Sequence, residues 1–150
     1  MPIISFGQQI FIPGQSYFGQ NNYIEYIAGN MPIIIGVPHG GTLRPINLPV
    51  IHNRGVDNGS FETSHLLYDF IVQHTDGCFP HMIISHLHPS VMNPVREIDT
   101  AAGTNIHARN AWYEFHNFID TAKFEITNSW GAGHYFEMHG NGHSETWIEI

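Results

Sequence analysis

The chain is poor in cysteine and in basic residues. It has a single cysteine, Cys78, in 150 residues, so an intrachain disulfide is excluded. Five lysines and arginines stand against thirteen aspartates and glutamates, which gives a formal net charge of −8 with neutral histidines. An acidic chain is repelled by nucleic acids and by anionic membrane surfaces, so we expect neither as a partner. Small molecules, metal ions and proteins remain as partner classes.

Long apolar segments are also missing from the chain. No run approaches the roughly 20 apolar residues of a membrane-spanning helix, and the N-terminus lacks the basic and apolar segments of a signal peptide. We expect a soluble protein that is either cytoplasmic or secreted with its signal peptide already removed. With 42% hydrophobic residues, a chain of this length can bury one core without disulfides. Residues 1–150 are therefore predicted to form a single domain.

Histidine is the residue type that stands out, with twelve copies. Imidazole titrates near neutral pH and is the commonest protein ligand for transition metals. This composition favours a metal site or an acid–base site, although the count alone does not say which histidines form it.

The order of apolar runs predicts an α/β fold with a mostly parallel or mixed sheet flanked by helices. Strands are predicted at 9–12, 23–27, 31–37, 81–87 and 135–138. The second and third of these are expected to pair as a hairpin around Gly29-Asn30. Segments 40–59 and 90–103 are rich in residues that favour loops and are predicted to be long loops.

Two helices are predicted between the later strands. Ser60 is expected to cap a helix over 61–74, and Thr104 or Asn105 is expected to cap a second one. The apolar face of the first helix is predicted to consist of Leu66, Leu67, Phe70 and Ile71. The core stripe of the second is predicted to consist of Ala108, Ala111, Trp112, Phe115, Phe118, Ile119 and Ala122.

Polar segments follow three of the predicted strands: PHGG at 38–41, HPSVMNPVRE at 88–97 and HGNGH at 139–143. If these strands are parallel, their carboxyl ends meet at one edge of the sheet, where ligands bind in open α/β folds. The residues expected at this edge are His39, His88, Asn93, Arg96, His139 and His143.

A hydrolytic zinc site needs three protein ligands and an open position, often two histidines and one carboxylate. His39 and His139 supply the imidazoles, while Asp57 and Glu62 are the nearest candidate carboxylates. Glu137 is a weaker candidate because it would point to the opposite sheet face from the residues beside it. His88 and His143 have an alternative interpretation as loop histidines bonded to backbone or water.

Arg96 carries a planar guanidinium that matches a carboxylate, which suggests an acidic group on a substrate. An ordinary surface ion pair is the alternative for this residue.

Four segments of the chain resemble the N-formylglutamate amidohydrolase family: YIEYIAGNMPIIIGVPHGG, PHMIISHLHPSVMNPVRE, NAWYEFHNFIDTAK and FEMHGNGHSETWIEI. The resemblance spans about residues 10–150. It implies a three-layer hydrolase fold like that of zinc carboxypeptidases, a bound zinc ion, and hydrolysis of the amide of an N-acyl acidic amino acid or of a related peptide-like bond.

The resemblance also implies roles for individual residues. His39 and His139 would be metal ligands, with Asp57 as the carboxylate ligand and Glu62 as its alternative. Arg96 would bind the substrate carboxylate, and Asn93 and His143 are further candidates for substrate binding.

The chain departs from the family pattern at several positions. The family usually has Asp-Pro-Asn-Arg-Glu where this chain has Asn93-Pro94-Val95-Arg96-Glu97, and an aspartate in place of Glu137. Family members also continue beyond the equivalent of Ile150, and the carboxylate that acts as general base is expected in that part. We therefore expect a domain without the family's C-terminal part, in which Glu149 or Glu145 would have to serve, with Glu149 as the candidate catalytic residue.

These departures leave a second interpretation open. The chain would then be a catalytically lapsed homologue that acts as a binding protein or as a self-assembling structural protein. An unpaired strand at the sheet edge is a template for another chain, so a homo-oligomer is expected in that case.

Overall fold

Five strands form one mixed sheet in the order β1-β2-β4-β3-β5. The computed structural model describes residues 10–140. Its strands are β1 (Ser16–Phe18), β2 (Ile24–Ile27), β3 (Ile33–Val37), β4 (His81–Ser85) and β5 (His134–Glu137). Its helices are α1 (Ser60–His74), α2 (Ile98–Ala102) and α3 (Ile106–Trp130), with a 3-10 turn at Gln20–Asn22. The predicted α/β class with a mixed sheet is confirmed.

β3 lies between β4 and β5 and is parallel to both, whereas β2 is antiparallel to β1 and to β4. The predicted hairpin is therefore wrong, since β4 separates β2 from β3. The turn after β2 is bonded to the segment before β4 instead: the Asn30 amide donates to the Phe79 carbonyl at 2.8 Å, and the Phe79 amide donates to Asn30 Oδ1 at 2.7 Å. These two bonds join the turn to the segment that leads into β4, the strand that lies between β2 and β3.

Side chains alternate between the two faces of the sheet, as strand geometry requires. On one face, Ile35, Val37, Met82 and Ile84 pack with residues of α1. On the other face, Ile24, Tyr26, Ile34 and Ile83 pack with the apolar stripe of α3. Because both faces are covered, the inner strands are continuous apolar runs, which is why they could be recognised in the sequence.

The two long helices agree with the sequence to different degrees. Asn105 caps α3 as predicted, since its side-chain oxygen accepts hydrogen bonds from the amides of His107 and Ala108. The predicted α3 stripe is confirmed, with all seven of its residues buried in the core or packed against it.

α1 corrects the sequence prediction at two points. Gly59, in the left-handed region at φ 78°, takes the capping position instead of Ser60, whose hydroxyl donates to the Asp57 carbonyl at 2.8 Å. Leu67 and Ile71 pack against the sheet as expected, but Leu66 and Phe70 are 69% and 59% exposed.

Three smaller differences complete the comparison. Ile10–Ile12 does not form the predicted strand, and position 9 lies outside the described residues. β1 lies instead between the first two predicted strands, where it pairs with β2. The predicted loop at 90–103 contains the short helix α2. Among the described helices, none is both long enough and apolar enough to cross a membrane.

Candidate metal centre

The loops after β3 and β5 bring two histidines together from positions 100 residues apart. His39 follows β3, and His139 follows β5. The pairing of β5 with β3 continues one residue beyond β5, because the Met138 amide donates to the Gly36 carbonyl at 2.8 Å. Because β3 and β5 are adjacent parallel strands, their carboxyl ends lie side by side. The predicted meeting of His39 and His139 at this edge is confirmed.

Asp57 completes a group of three side chains that could hold a metal ion. His39 Nδ1 lies 3.2 Å from His139 Nδ1 and 3.3 Å from Asp57 Oδ2, and His139 Nδ1 lies 3.2 Å from the same oxygen. In a tetrahedral zinc site with bonds of about 2.0 Å, neighbouring ligand atoms lie about 3.3 Å apart. The three atoms therefore have the separations of one face of such a site.

The outer nitrogen of each imidazole donates a hydrogen bond to a side-chain oxygen. His39 Nε2 donates to Asn93 Oδ1 at 2.7 Å, and His139 Nε2 donates to Glu137 Oε2 at 3.0 Å. A neutral imidazole carries one proton, so these bonds leave a lone pair on Nδ1 of each ring. Outer partners of this kind fix the tautomer and the ring orientation of metal-binding histidines.

The charge states of two ligands favour cation binding. Burial lowers the pKa of His39, against the hydrogen bond with Asn93 and with a smaller contribution from Arg54, so the ring is neutral near pH 7. Burial raises the pKa of Asp57, but the polar contact with His139 and the effects of His39, Gly140 and Arg54 outweigh it and lower the pKa overall. Asp57 thus supplies a negative charge and His39 a neutral ring, which suits the binding of a cation.

Arg54 is a charged neighbour of the centre that the sequence did not single out. Its Nη2 donates to Asp57 Oδ1 at 3.0 Å and to His39 Nδ1 at 3.2 Å, and it lies 3.4 Å from Asp57 Oδ2. Its side chain is 38% exposed, so part of the guanidinium faces solvent. Arg54 lies in a loop, where the sequence has no periodic pattern that could point to it. Its contact with Asp57 in the folded chain is what identifies it.

The glycines of PHGG allow the loop after β3 to pass close to other parts of the chain. A Cβ on Gly41 would collide with the backbone of His86, and one on Gly40 would lie 2.8 Å from Phe61 Cβ. The same loop is tied to the second ligand segment, because the Asp57 amide donates to the His39 carbonyl at 3.1 Å. Close backbone packing therefore sets the spacing between the two ligands.

Several predicted site residues have other positions or partners. Glu62 is on the exposed side of α1 and is not in the metal-binding group, so Asp57 is the carboxylate of the centre. Asn93 is a predicted substrate-binding residue, but its side-chain oxygen is bonded to His39. His88 is outside the metal-binding group and has Arg44 Nη2 2.6 Å from its Nε2.

Arg96 lines a groove of about 310 Å³ next to the centre. The groove lies along α3, and Glu137, which bonds to His139, forms part of its wall. Two hydrogen bonds from α3 fix the backbone of the loop that contains Arg96. Trp112 Nε1 donates to the Arg96 carbonyl at 2.9 Å, and His116 Nε2 donates to the Pro94 carbonyl at 3.0 Å. A volume of this size is at the lower end of small-molecule sites.

Three predicted residues, His143, Glu145 and Glu149, lie outside the described residues. Arg54 and Tyr135 are residues near the centre that the sequence interpretation did not assign, and Glu137 was considered there only as a metal ligand. The sequence contained a signal that Tyr135 and Glu137 lie on the same side of β5 as His139, because positions 135, 137 and 139 are two residues apart and alternate residues of a strand share a face.

No protein-family model, curated protein or solved structure matches the chain. The functional assignment therefore depends on the geometry of the centre and of the groove.

Proposed function

We propose that the protein is a zinc-dependent amidohydrolase that cleaves the amide of an N-acyl acidic amino acid or of a related peptide-like compound. The observation that carries this proposal is the triangle formed by His39 Nδ1, His139 Nδ1 and Asp57 Oδ2, with sides of 3.2, 3.2 and 3.3 Å. Two imidazoles and one carboxylate with an open fourth position are the ligand set of hydrolytic zinc sites.

The ligand chemistry favours zinc over harder cations. Mg²⁺ and Ca²⁺ prefer oxygen ligands in larger numbers, whereas imidazole nitrogen suits zinc and related transition metals. The chemistry that a zinc ion supplies in such a place is polarisation of a carbonyl group and a lower pKa for a bound water.

The groove supports the assignment of a substrate with an acidic group. The guanidinium of Arg96 would bind a carboxylate in a bidentate manner and so orient the substrate. Glu137 forms part of the groove wall and accepts a hydrogen bond from His139, which supports a substrate that extends from Arg96 towards the metal position.

The resemblance to N-formylglutamate amidohydrolases and the three-layer fold of zinc carboxypeptidases belong to the same proposal. They are supported by the parallel order of β4, β3 and β5 and by helices packed on both sheet faces. Glu149, or Glu145 in its place, remains the proposed general base.

Metal analysis after exhaustive dialysis against zinc-containing and then zinc-free buffer tests the first step. We expect about one zinc ion per chain, and a loss of at least ten-fold in affinity for His39→Ala and Asp57→Ala. His107→Ala, which changes an exposed histidine of α3, is the control. An absence of zinc in the wild-type protein would contradict the proposal.

Hydrolysis of N-formyl- and N-acetyl-glutamate tests the second step, with formation of free amino acid as the signal. Arg96→Gln should raise KM for these substrates more than it lowers kcat, because it removes ground-state binding of the carboxylate. Equal turnover of the corresponding N-acyl amine without a carboxylate would contradict the role of Arg96.

A catalytically lapsed binding or self-assembling protein is the second candidate. Its support is that β5 is an edge strand of the sheet formed by residues 10–140, with Tyr135 and Phe136 40% and 47% exposed. Zinc binding without turnover of any N-acyl amino acid, together with a concentration-dependent increase in mass on a sizing column, would favour it.

A further inference from the structure

We propose that Tyr135 and Glu137 form a positioning pair for His139, and that Gly36 is a glycine because the pair needs the space above it. This role concerns how one ligand of the centre is held, so it rests on the proposed metal-dependent function.

Glu137 uses its two oxygens for two different partners. Its Oε1 accepts a hydrogen bond from the Tyr135 hydroxyl at 2.9 Å, and its Oε2 accepts one from His139 Nε2 at 3.0 Å. Residues two apart in a strand share a face, so the alternation of β5 places Tyr135 and Glu137 on one side, in line with His139. The result is a continuous chain of hydrogen bonds from a tyrosine to a metal-ligand candidate.

Gly36 lies in the middle of the sheet, where a glycine weakens a strand and often marks a close approach by another group. Its register partner in β5 is Glu137, and Ile34 is paired with Tyr135. A Cβ on Gly36 would collide with the Tyr135 hydroxyl, so the phenol ring lies over this position. The ring would have to move if any other residue were present.

The two histidines of the centre differ in how firmly their surroundings hold them. His39 is 1% exposed and bonds to Asn93, which is itself buried. His139 is 39% exposed and follows β5, which is an edge strand of the sheet within residues 10–140, so packing alone does not fix its ring. Nδ1 of the ring lies 3.2 Å from Asp57 Oδ2, so two carboxylates compete for the imidazole proton. The shorter bond from Nε2 to Glu137, at 3.0 Å, favours the proton on Nε2 and leaves the lone pair on Nδ1, where a metal needs it.

Tyr135 acts on His139 through Glu137. When the tyrosine hydroxyl occupies Oε1, the carboxylate has one preferred rotamer, with Oε2 directed at the imidazole. Loss of the hydroxyl would free the carboxylate to rotate in solvent, and the histidine would lose its fixed partner. Because all three groups are partly exposed, the expected effect is at the lower end of the range for outer partners of metal ligands, about ten-fold in affinity.

Zinc affinity measured by chelator competition tests the pair. Glu137→Leu and Tyr135→Phe should each weaken binding by about ten-fold, and Glu137→Gln should recover most of the affinity because its amide oxygen still accepts from Nε2. Gly36→Ala should lower the zinc affinity about as much as Tyr135→Phe does. The double variant Gly36→Ala/Tyr135→Phe should bind zinc no more weakly than the weaker-binding of the two single variants. Phe136→Leu, a change in the same strand outside this chain of bonds, is the control.

A second measurement separates positioning from general destabilisation. Nitrogen-15 NMR of the imidazoles in metal-free protein should give the Nε2–H tautomer for His139 in the wild type and a mixture of tautomers in Tyr135→Phe and Glu137→Leu. Unchanged tautomers, or an equal loss of affinity in Phe136→Leu, would overturn the positioning role. If the wild type binds no zinc, the proposed function fails, and the tautomer measurement still decides whether the pair orients His139.

Discussion

His39 Nε2 donates a hydrogen bond of 2.7 Å to Asn93 Oδ1, and the two residues are only 1% and 4% exposed. N-formylglutamate amidohydrolases usually have an aspartate in the corresponding motif, so the amide is one of the departures that leave a catalytically lapsed homologue open. An amide oxygen accepts this bond as a carboxylate would, without adding a buried charge. The asparagine therefore suits a neutral imidazole that presents Nδ1 to the centre.

Asn93→Leu should weaken zinc binding by about ten-fold or more, because His39 loses the acceptor that fixes its tautomer. Asn93→Asp should keep affinity within a few-fold of wild type, since a carboxylate oxygen can take the same hydrogen bond. Chelator competition measures both variants. Equal losses for the two would indicate that the volume of the side chain, rather than its acceptor, is what matters.

Arg54→Gln should strengthen zinc binding about five-fold. The guanidinium contacts Asp57 and His39, so it competes for their lone pairs and repels a divalent cation. Removal of a partly exposed charge is worth roughly 1 kcal/mol. Arg44→Gln is the matched control, because that arginine contacts His88 instead. Weaker zinc binding in Arg54→Gln would show that the arginine mainly holds Asp57 in place.

His81 should make the protein less stable in acid. Burial lowers its pKa to about 4, and its Nδ1 lies 2.8 Å from the Tyr26 hydroxyl and accepts from the Gly29 amide at 3.1 Å. Between pH 6.5 and 4 the unfolded chain binds this proton and the folded protein does not, so stability falls as pH falls. The difference of about 2.5 in pKa corresponds to about 3 kcal/mol.

Urea unfolding at several pH values measures this contribution. His81→Phe should remove most of the pH dependence in that window. Tyr26→Phe keeps His81 buried, so this variant should retain the pH dependence of stability. An unchanged slope in His81→Phe would assign the acid sensitivity to other groups.

Gly41→Ala should destabilise the fold by about 2 kcal/mol or more, because the new methyl group would meet the backbone of His86, which cannot move cheaply. Gly55→Ala is the control, since nothing lies within 4 Å of the position that its Cβ would occupy, and it should change stability by less than about 1 kcal/mol. Thermal unfolding compares the two. Similar losses would mean that the backbone contact at Gly41 is not tight in solution.

The sequence predicts the centre well because its ligands depend on strand ends. β3 and β4 are apolar runs followed by polar residues, β5 leads directly into HGNGH, and parallel strands bring such ends together regardless of the details of the loops. Asp57 is one of two carboxylates in reach of this edge by sequence position, and the direction of Glu62 on α1 decides between them.

The features that the sequence did not predict depend on contacts between distant segments. A Gly-Asn turn between two apolar runs favours a hairpin locally, and nothing in it reveals that β4 inserts between them. Arg54 and Asn93 have roles only because they approach His39 in the folded chain. Residues in loops have no periodicity from which such an approach could be read.

The separation of the ligands along the chain has a consequence for folding thermodynamics. His39 and His139 are 100 positions apart, and Asp57 lies 18 positions after His39. If the ion stayed bound to all three side chains after unfolding, it would close two loops in the unfolded chain, so the unfolded chain binds it more weakly than the folded protein does. By the chain-entropy estimate for a covalent bridge, a loop of about 100 residues corresponds to nearly 5 kcal/mol. A bound ion would therefore stabilise the folded state, in which β5 pairs with β3, against unfolding.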